Sequence, residues 1–482
     1  EALINDSLAM DKFNMGCRFE SYLIHTLQGN TEAAAAVKAE MKALMRGAVH
    51  SYLEYAIDYA SAGMYEEATQ LLSFVTEENE ATYPMVYYAL GYFASKMGKK
   101  DEAVALYKKA ETMCPNYCFP NKLEEVLMLN DAMLLNPEGA KAPYYLGNFH
   151  YAARIYDEAI ACWEKSASID DTYPTVLRNL SLAYYNKQHN PQKALATLEK
   201  AYNLDTTDAR ILMELDQLYK KLRYPHRQRL DFLEAHADVV EQRDDLCIER
   251  ITLYNQLGEY QKAYDLINSR KFHPWEGGEG KVTSQYLLCR VELAKIAIRE
   301  GRFADAVRLL KETEKYPDNL GEGKLSMAEE NDIHYWMGCA YEGLGEEALA
   351  KEYFTKATKG SAEPAIAFFY NDQQPDKIFY QGLAWRKLGE EDKARSRFNR
   401  LIKHGEKHLF DKVKIDYFAV SLPDLLIWDD DLNVRNQIHC NLVMGMGYLG
   451  LGDKEQARKF LSEVARLDIN HQAGKQLLEM CD

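Results

Sequence analysis

Apolar residues recur at intervals of three and four along most of the chain, which predicts a succession of amphipathic helices. The clearest example runs from Met85 to Pro115, where two apolar stripes are separated by Gly98. Small residues at Gly91 and Ala103 would let two antiparallel helices approach closely. Gly98 would end the first helix in the left-handed backbone conformation that glycine adopts readily. This segment therefore predicts a tight helix pair.

The same spacing returns along the chain, so the chain is built from internal repeats. The repeat near Leu180 has one extra residue in its turn, between Gln188 and Pro191, and the repeat near Leu212 lacks the turn glycine. Further repeats are predicted around Tyr52, Leu146, Tyr254, Leu293, Met337, Gly382 and Met444. No single pair can bury its apolar face alone, so stability must come from stacking on neighbouring pairs.

This spacing of small residues and turn glycines resembles the tetratricopeptide repeat family, over almost the whole chain and in about ten units. The resemblance implies an all-α fold, a right-handed superhelical solenoid of antiparallel helix pairs. In the family the first helix of each pair lines a concave groove. The resemblance therefore implies a protein-interaction scaffold that binds a peptide, a protein or a neighbouring domain in that groove, and not an enzyme.

The repeats suggest how the chain is organised. We expect incomplete N-terminal repeat or capping helices over 1–45, repeats over 46–270, an insertion loop over 271–281 and further repeats over 282–482. The last segment would contain insertions near 361–376 and 406–435 and a capping helix from about His471 to Met480. The opening segment after Glu1 reads like the end of a helix whose partner lies upstream, so we expect the natural N-terminus and any signal peptide to be missing.

Three stretches depart from the repeat: Phe272–Gly280, Phe368–Asp376 and Asp416–Asp429. Together they resemble the C-terminal half of a family of large bacterial proteins. In that family a β-sandwich region of unknown function, similar to sugar-mutarotase folds, precedes the repeat array. The resemblance implies that the chain is one part of a larger polypeptide. It raises an alternative function, an accessory module that completes a carbohydrate-binding or carbohydrate-processing site with that domain.

Charge and composition indicate which classes of binding partner are not expected. The net charge is −16, from 74 acidic and 58 basic residues, and no Lys/Arg run is present. Nucleic acid and anionic membrane surfaces are therefore not expected partners. No apolar run approaches the roughly 20 residues of a membrane-spanning helix. The nine scattered cysteines favour free buried thiols in a reducing compartment, which predicts a cytoplasmic protein without a cofactor.

The insertion loop carries the strongest candidate for a binding site. Trp275 could stack on a sugar, and carboxylates beside it could accept hydrogen bonds from hydroxyl groups. In the alternative interpretation, Trp275 fills a gap between repeats and the glycines only permit tight turns. The candidate residues here are His273, Trp275, Glu276 and Glu279.

A second polar segment precedes the repeat near Gly382. Its candidate residues are Tyr370, Asn371 and Asp372, which would line the groove or form a turn that caps the helix beginning near Asp376. Asp416, Tyr417 and Trp428 are expected to pack between neighbouring repeats.

Repeat spacing also predicts which residues of the first helices face the groove. They are Tyr88, Tyr92, Tyr144, Asn148, Tyr151, Tyr335 and Phe379. Tyrosine suits recognition surfaces because it offers a large contact area with few rotamers and a polar tip. Many of the 33 tyrosines occupy packing positions instead, so both interpretations remain open. The clamp used by chaperone-binding relatives needs Lys and Asn at two groove positions, and only Asn148 matches it.

Metal and catalytic sites are not expected. His404 and His408 would share a helix face, but metal binding requires further ligands, so two surface histidines are predicted. Cys114 and Cys118 have no second cysteine pair at metal-site spacing. No nucleophile elbow and no Ser/His/Asp grouping can be assigned.

Overall fold

The computed structural model describes residues 1–76, 83–275, 277–326, 328–365, 374–414 and 427–481. Across these residues the regular secondary structure is helical throughout, with no strand, which confirms the predicted all-α class. The chain divides into two compact units, unit 1 over Glu1–Leu204 and unit 2 over Asp205–Asp482. Each unit is built from consecutive helix pairs.

Unit 1 contains the first part of the predicted array. Its helices are α1 (Ala2–Met10), α2 (Met15–Leu27), α3 (Thr31–Met45), α4 (Val49–Ser61), α5 (Tyr65–Thr76), α6 (Met85–Lys96), α7 (Lys100–Glu111), α8 (Leu123–Leu135), α9 (Lys141–Ala152), α10 (Tyr156–Ile169), α11 (Pro174–Asn186) and α12 (Pro191–Leu204). The pairs are α2 with α3, α4 with α5, α6 with α7, α9 with α10 and α11 with α12. Later helices pack on earlier pairs, as α6 does on α5 and α11 on α10.

Unit 2 continues the same construction. Its helices are α13 (Ala209–Lys221), α14 (His226–Ala235), α15 (Ala237–Val240), α16 (Asp244–Gln256), α17 (Tyr260–Asn268), α18 (Lys281–Arg299), α19 (Phe303–Lys311), α20 (Asn331–Gly343), α21 (Glu347–Ala357), α22 (Pro375–Lys387), α23 (Glu391–His408), α24 (Leu432–Leu451), α25 (Lys454–Leu467) and α26 (Gln472–Glu479). A 3-10 turn, Asp318–Leu320, lies between α19 and α20.

A small residue beneath a large side chain sets the distance between the two helices of a pair. A Cβ atom added to Gly91 would lie 2.5 Å from the ring of Tyr107, sixteen residues later in the chain. At Gly147 it would lie 2.4 Å from the ring of Trp163, again sixteen residues later. The same arrangement recurs in Gly338 with Phe354, Gly382 with Phe398 and Gly445 with Leu461. The close approach predicted at Gly91 is therefore present and repeats along the array.

The turn between the two helices needs a left-handed backbone, as predicted at Gly98. Gly98 has φ +78°, and no atom lies within 4 Å of where its Cβ would be. Backbone conformation alone therefore favours glycine at this position. Where the glycine is missing, another residue adopts positive φ: Arg154 at 64°, His189 at 50° and Arg223 at 63°.

Helix α8 was not predicted, because it lies between two repeats and is not half of a pair. It packs on α6 and α9, and one of its faces buries Met128, Leu129 and Ala132. Its amino terminus is fixed by Glu125, whose carboxylate accepts hydrogen bonds from the backbone N–H groups of Asn121 (2.7 Å) and Lys122 (2.9 Å).

The described residues of the loop predicted over 271–281 contact the segment around the 3-10 turn of unit 2. Phe272 is buried, and its backbone N–H donates to the carbonyl of Asn319 at 2.8 Å. Asn319 in turn donates from Nδ2 to the carbonyls of Ile267 (2.8 Å) and Arg270 (2.9 Å). Further along the loop, the N–H of Gly280 donates to the Glu322 carboxylate at 3.0 Å.

Residues near the end of unit 2 contact its early helices α13 and α18. The buried Trp428 donates from Nε1 to the carbonyl of Glu214 in α13 at 3.1 Å, so its predicted packing role is seen. Gln472, at the start of α26, exchanges side-chain hydrogen bonds with Gln285 of α18 at 2.9 and 3.0 Å. Asn470 donates to the carbonyl of Lys220 at 3.4 Å. Unit 2 is therefore held together by contacts that are very distant in sequence.

We expect Gly147→Ala to lower the stability of the α9–α10 pair, because the new methyl group would overlap the Trp163 ring. Overpacking of this kind costs about 1–3 kcal/mol. In a Trp163→Leu background the penalty for Gly147→Ala should largely disappear, since the ring is absent. A double-mutant cycle by thermal unfolding measures this coupling.

Gly16→Ala in α2 is the matched control, because the atom nearest to the added Cβ would lie 3.5 Å away. Equal penalties with and without the ring would contradict this explanation.

The left-handed turns at Arg154 and Gly98 lead to a second testable prediction. Arg154 is exposed and holds a left-handed conformation that costs a non-glycine residue about 1 kcal/mol. Arg154→Gly should therefore raise the melting temperature, and Gly98→Ala should lower it, although neither change removes a packing contact. Differential scanning calorimetry of both variants provides the test. No change in either variant would show that these turns do not limit stability.

Candidate functional site

The first helices of unit 1 carry a set of connected polar side chains that we name the amide ladder: Arg178, Asn179 and Asn148. Asn148 on α9 accepts a hydrogen bond at Oδ1 from Nε1 of Trp163 (3.1 Å). The same oxygen accepts a second hydrogen bond from Nδ2 of Asn179 on α11 (3.3 Å). Arg178 donates to Oδ1 of Asn179 at 3.2 Å. The ladder therefore joins the first helices of two consecutive pairs.

These contacts fix the orientation of the Asn148 amide. Two donors converge on Oδ1, so the amide cannot flip without losing both hydrogen bonds. Its Nδ2 group finds no acceptor among the described residues, and the side chain is half-buried. Asn148 therefore presents a fixed, unused donor on the first-helix face of unit 1.

Aromatic residues border the ladder. Tyr151, one turn after Asn148, has its ring centroid 5.2 Å from that of Trp163 and 5.0 Å from that of Tyr156. It is half-buried and contributes both to packing and to the surface. Tyr92 on α6 is also half-buried, with the Lys96 ammonium 4.9 Å from its ring centroid. The structure thus leaves part of Tyr92, Asn148 and Tyr151 accessible.

Three residues that were predicted to face the groove are instead in the core, so the prediction was wrong for them. Tyr88 is fully buried: its hydroxyl donates to Oε1 of Glu111 at 2.8 Å, and burial and this carboxylate raise its pKa. Tyr144 is buried against the Tyr173 ring, at a centroid distance of 5.1 Å. Phe379 is buried too. Helix spacing predicts which residues share one face of a helix. Whether that face is exposed or buried depends on which helix packs against it in the folded chain.

The first helices of unit 2 carry a charged cluster: Glu292 and Lys295 on α18, Asp332 on α20, and Asp376 and Lys377 on α22. Lys377 Nζ lies 2.6 Å from Asp332 and 3.2 Å from Asp376. Lys295 Nζ lies 2.6 Å from Glu292 and 5.2 Å from the ring centroid of Trp336. Tyr335 is half-buried beside this cluster, with its ring centroid 5.5 Å from that of Tyr380.

The charges of this cluster are mostly shielded from solvent and paired with each other. Their side chains are between 11% and 31% exposed. Burial lowers the pKa of Lys377, but the carboxylates of Asp332 and Asp376 outweigh this effect and raise it above its usual value. Burial raises the pKa of Asp376, which Lys377 partly offsets. With its lysines already paired to carboxylates, the cluster is better suited to holding α18, α20 and α22 together than to binding a ligand.

Two of the described insertion-loop candidates, Trp275 and His273, contact other residues of the protein. The ring of Trp275 lies directly on Gly278 of its own loop, where an added Cβ would come within 1.9 Å of it. His273 is exposed, and its backbone N–H donates to Oδ2 of Asp244 at 2.8 Å. Glu279 is exposed as well. Four candidates lie outside the described residues: Glu276, Tyr370, Asn371 and Asp372. Asp416 and Tyr417 also lie outside them.

Histidines and cysteines offer no assembled metal centre within the described ranges. The ring centroids of His404 and His408 are 4.6 Å apart, and Nδ1 of His408 lies 2.6 Å from Asp411. Among the residues described, no group of three or more potential ligands could hold a metal ion. All nine cysteines are free thiols. Five of them are buried, whereas Cys114 is exposed.

A cleft of about 250 Å³ opens in unit 1 near the end of α10, bordered by Lys141, Ser166, Asp170 and Tyr173. Lys141 donates from Nζ to the carbonyls of Glu111 and Met113, each at 2.5 Å. Ser166 donates to the carbonyl of Ala140 at 2.7 Å. Because the chain itself satisfies these groups, the cleft indicates no particular ligand.

Comparison with known proteins gives partial matches to one kind of repeat. Models of the tetratricopeptide repeat match residues 86–117, 332–359 and 378–404. None of the helices described is both long and apolar enough to cross a membrane.

Parts of the chain match several solved structures at low sequence identity. YrrB, described as a TPR protein with an unusual peptide-binding site, is 18% identical over 43% of this chain and 95% of its own, with a TM-score of 0.20. PilF of Pseudomonas aeruginosa is 19% identical over 46% of this chain and 90% of its own, with a TM-score of 0.27. MamA from Desulfovibrio magneticus RS-1 is 17% identical over 41% of this chain and 97% of its own, with a TM-score of 0.23.

The helix pairs, the small residue beneath a large side chain, the left-handed turns and the matching family models agree with one another. The three matched segments, 86–117, 332–359 and 378–404, are therefore tetratricopeptide repeats within a chain of helix pairs.

Proposed function

We propose that this chain is a protein-interaction scaffold and that it binds an extended peptide segment of a protein or neighbouring domain across the first-helix face of unit 1. The observation that carries the proposal is the fixed amide of Asn148, which holds an unused donor on an accessible face. The amide ladder marks where the ligand crosses from α9 to α11.

The geometry suits a peptide backbone. Neighbouring packed helices lie about 10 Å apart, and an extended chain advances about 3.3 Å per residue. A bound peptide would therefore cross from α9 to α11 in about three residues. Nδ2 of Asn148 would donate to one backbone carbonyl of that peptide, while the exposed parts of Tyr151 and Tyr92 would contact its side chains. Since the amide is already oriented, little conformational entropy is lost when the ligand binds.

The described residues favour this function over the carbohydrate-site alternative. That alternative depends on an open face of Trp275, whereas one side of the ring packs on Gly278 of its own loop and the side chain is half-buried. The first-helix face of unit 1, by contrast, carries Nδ2 of Asn148, which has no acceptor among the described residues, beside half-buried aromatic rings. The charged cluster of unit 2 contributes to packing in this proposal, and Tyr335 is not assigned a ligand contact.

Selection from a phage-displayed peptide library, followed by fluorescence polarisation with the selected peptides, tests the proposal. Asn148→Asp is the sharpest variant, because it keeps the Oδ1 acceptor and replaces the Nδ2 donor with a second acceptor. We expect it to weaken peptide binding by about tenfold or more, as loss of one buried hydrogen bond does. Asn148→Ala should weaken binding to a similar extent.

Two controls keep this result interpretable. Asn268→Asp lies in unit 2, where its Nδ2 donates to the carbonyl of Tyr264, and it should leave peptide affinity unchanged. Melting temperatures of all variants must remain close to that of the parent chain. Unchanged affinity in Asn148→Asp, or selected peptides that bind the variant as tightly as the parent, would refute the assignment of the site.

A further inference from the structure

Helix α8 exposes an apolar face that the repeat architecture does not require. Its buried face packs on α6 and α9, while Leu123, Leu127 and Leu134 project from the other side. The residues are spaced by four and seven positions, so they form one stripe along the helix. A helix that is apolar all round is normally covered on all sides. On α8 the second side is exposed at Leu123, Leu127 and Leu134, and the exposed Asn130 lies on the same side.

The loop before α8 extends this apolar surface. Cys118 is buried and anchors the loop, whereas its neighbours Tyr117 and Phe119 point outward. The five large apolar side chains Tyr117, Phe119, Leu123, Leu127 and Leu134 are between 56% and 89% exposed. We name them the α8 platform. Several large apolar side chains exposed along one short stretch of chain are a candidate site of protein interaction.

The backbone at Tyr117 supports the same interpretation. Tyr117 has φ 60°, in the left-handed region that a bulky side chain rarely adopts, and it is the most exposed member of the platform. Local strain of this kind persists where the surrounding structure fixes it, often at binding sites. In this case the strained residue presents an aromatic ring to solvent.

Charges beside the platform select the kind of partner. Lys122 is paired with Glu54 at 3.0 Å, and Glu125 caps the helix. In the sequence that flanks the stripe, Glu124 and Glu138 are exposed, and both are acidic. The whole chain also carries a net charge of −16, which disfavours a second copy as the occupant.

We propose that the α8 platform is a second docking surface, separate from the amide ladder, and that it takes a basic amphipathic helix of a partner protein. The apolar stripe of that helix would cover Leu123, Leu127 and Leu134. Its lysine or arginine flanks would lie near Glu124 and Glu138. Between Leu123 and Leu134 the stripe is about 16 Å long, which matches about three turns of a partner helix.

The test uses the full chain and a synthetic helical peptide of leucine, alanine and lysine with leucine on one face. A scrambled peptide of the same composition has the same charge but no stripe. We expect the striped peptide to bind the parent chain at least about tenfold more tightly than the scrambled peptide. Leu123→Ser combined with Leu127→Ser should abolish that difference. Leu27→Ser, at an exposed leucine of α2, is the matched control and should retain it.

The outcomes separate the possible occupants. Because the platform residues are exposed, the double variant should keep the melting temperature of the parent. Equal binding of the two peptides, or an unaltered preference in the double variant, would overturn the proposal. Two other outcomes would also overturn it. One is self-association of the parent chain in analytical ultracentrifugation that the double variant abolishes. The other is binding of the parent chain to phosphatidylcholine vesicles that the double variant abolishes. Asn148→Asp should leave striped-peptide binding intact, so this proposal and the peptide-groove proposal can fail independently.

Discussion

The close contact between a small residue and a large side chain sixteen positions later is the constraint on which the array depends. Gly91 under Tyr107 and Gly147 under Trp163 bring the two helices of a pair nearer than any side chain at the glycine would allow. The large residue of the second helix then fills the space within the pair. The other sides of the first helix become available to the neighbouring pair and to solvent. In the α9–α10 pair, Nε1 of Trp163 also donates to Asn148, through which the amide ladder reaches α11.

Local periodicity predicted those parts of the fold that are set within one pair. Gly98 has the expected left-handed turn, and the extra residue predicted in the turn after Leu180 is seen as the gap between the end of α11 and Pro191. Where the turn glycine is missing, Arg223 adopts the same conformation. These features depend on residues close in sequence, so the sequence pattern is sufficient to find them.

The remaining features depend on contacts that sequence spacing does not encode. Helix α8 interrupts the period and is apolar on both sides, so its periodicity gave no signal. Tyr88 occupied a position that suggested the groove, but its hydroxyl is satisfied in the core by Glu111. Asn148 was identified from its place in the repeat, whereas its partner Asn179 was missed because only the packing of α9 against α11 brings the two amides together. The contact between Trp428 and Glu214 joins residues 214 positions apart.

Amide hydrogen exchange across the α6–α7 pair tests the central claim most directly. If the contact of Gly91 with Tyr107 holds the pair together, the slowest-exchanging amides should cluster around these two residues and Ala103. Amides in the first and last turns of both helices should exchange faster, because those turns open locally without breaking the contact. Exchange around Gly91 and Tyr107 as fast as that at the helix ends would contradict the account.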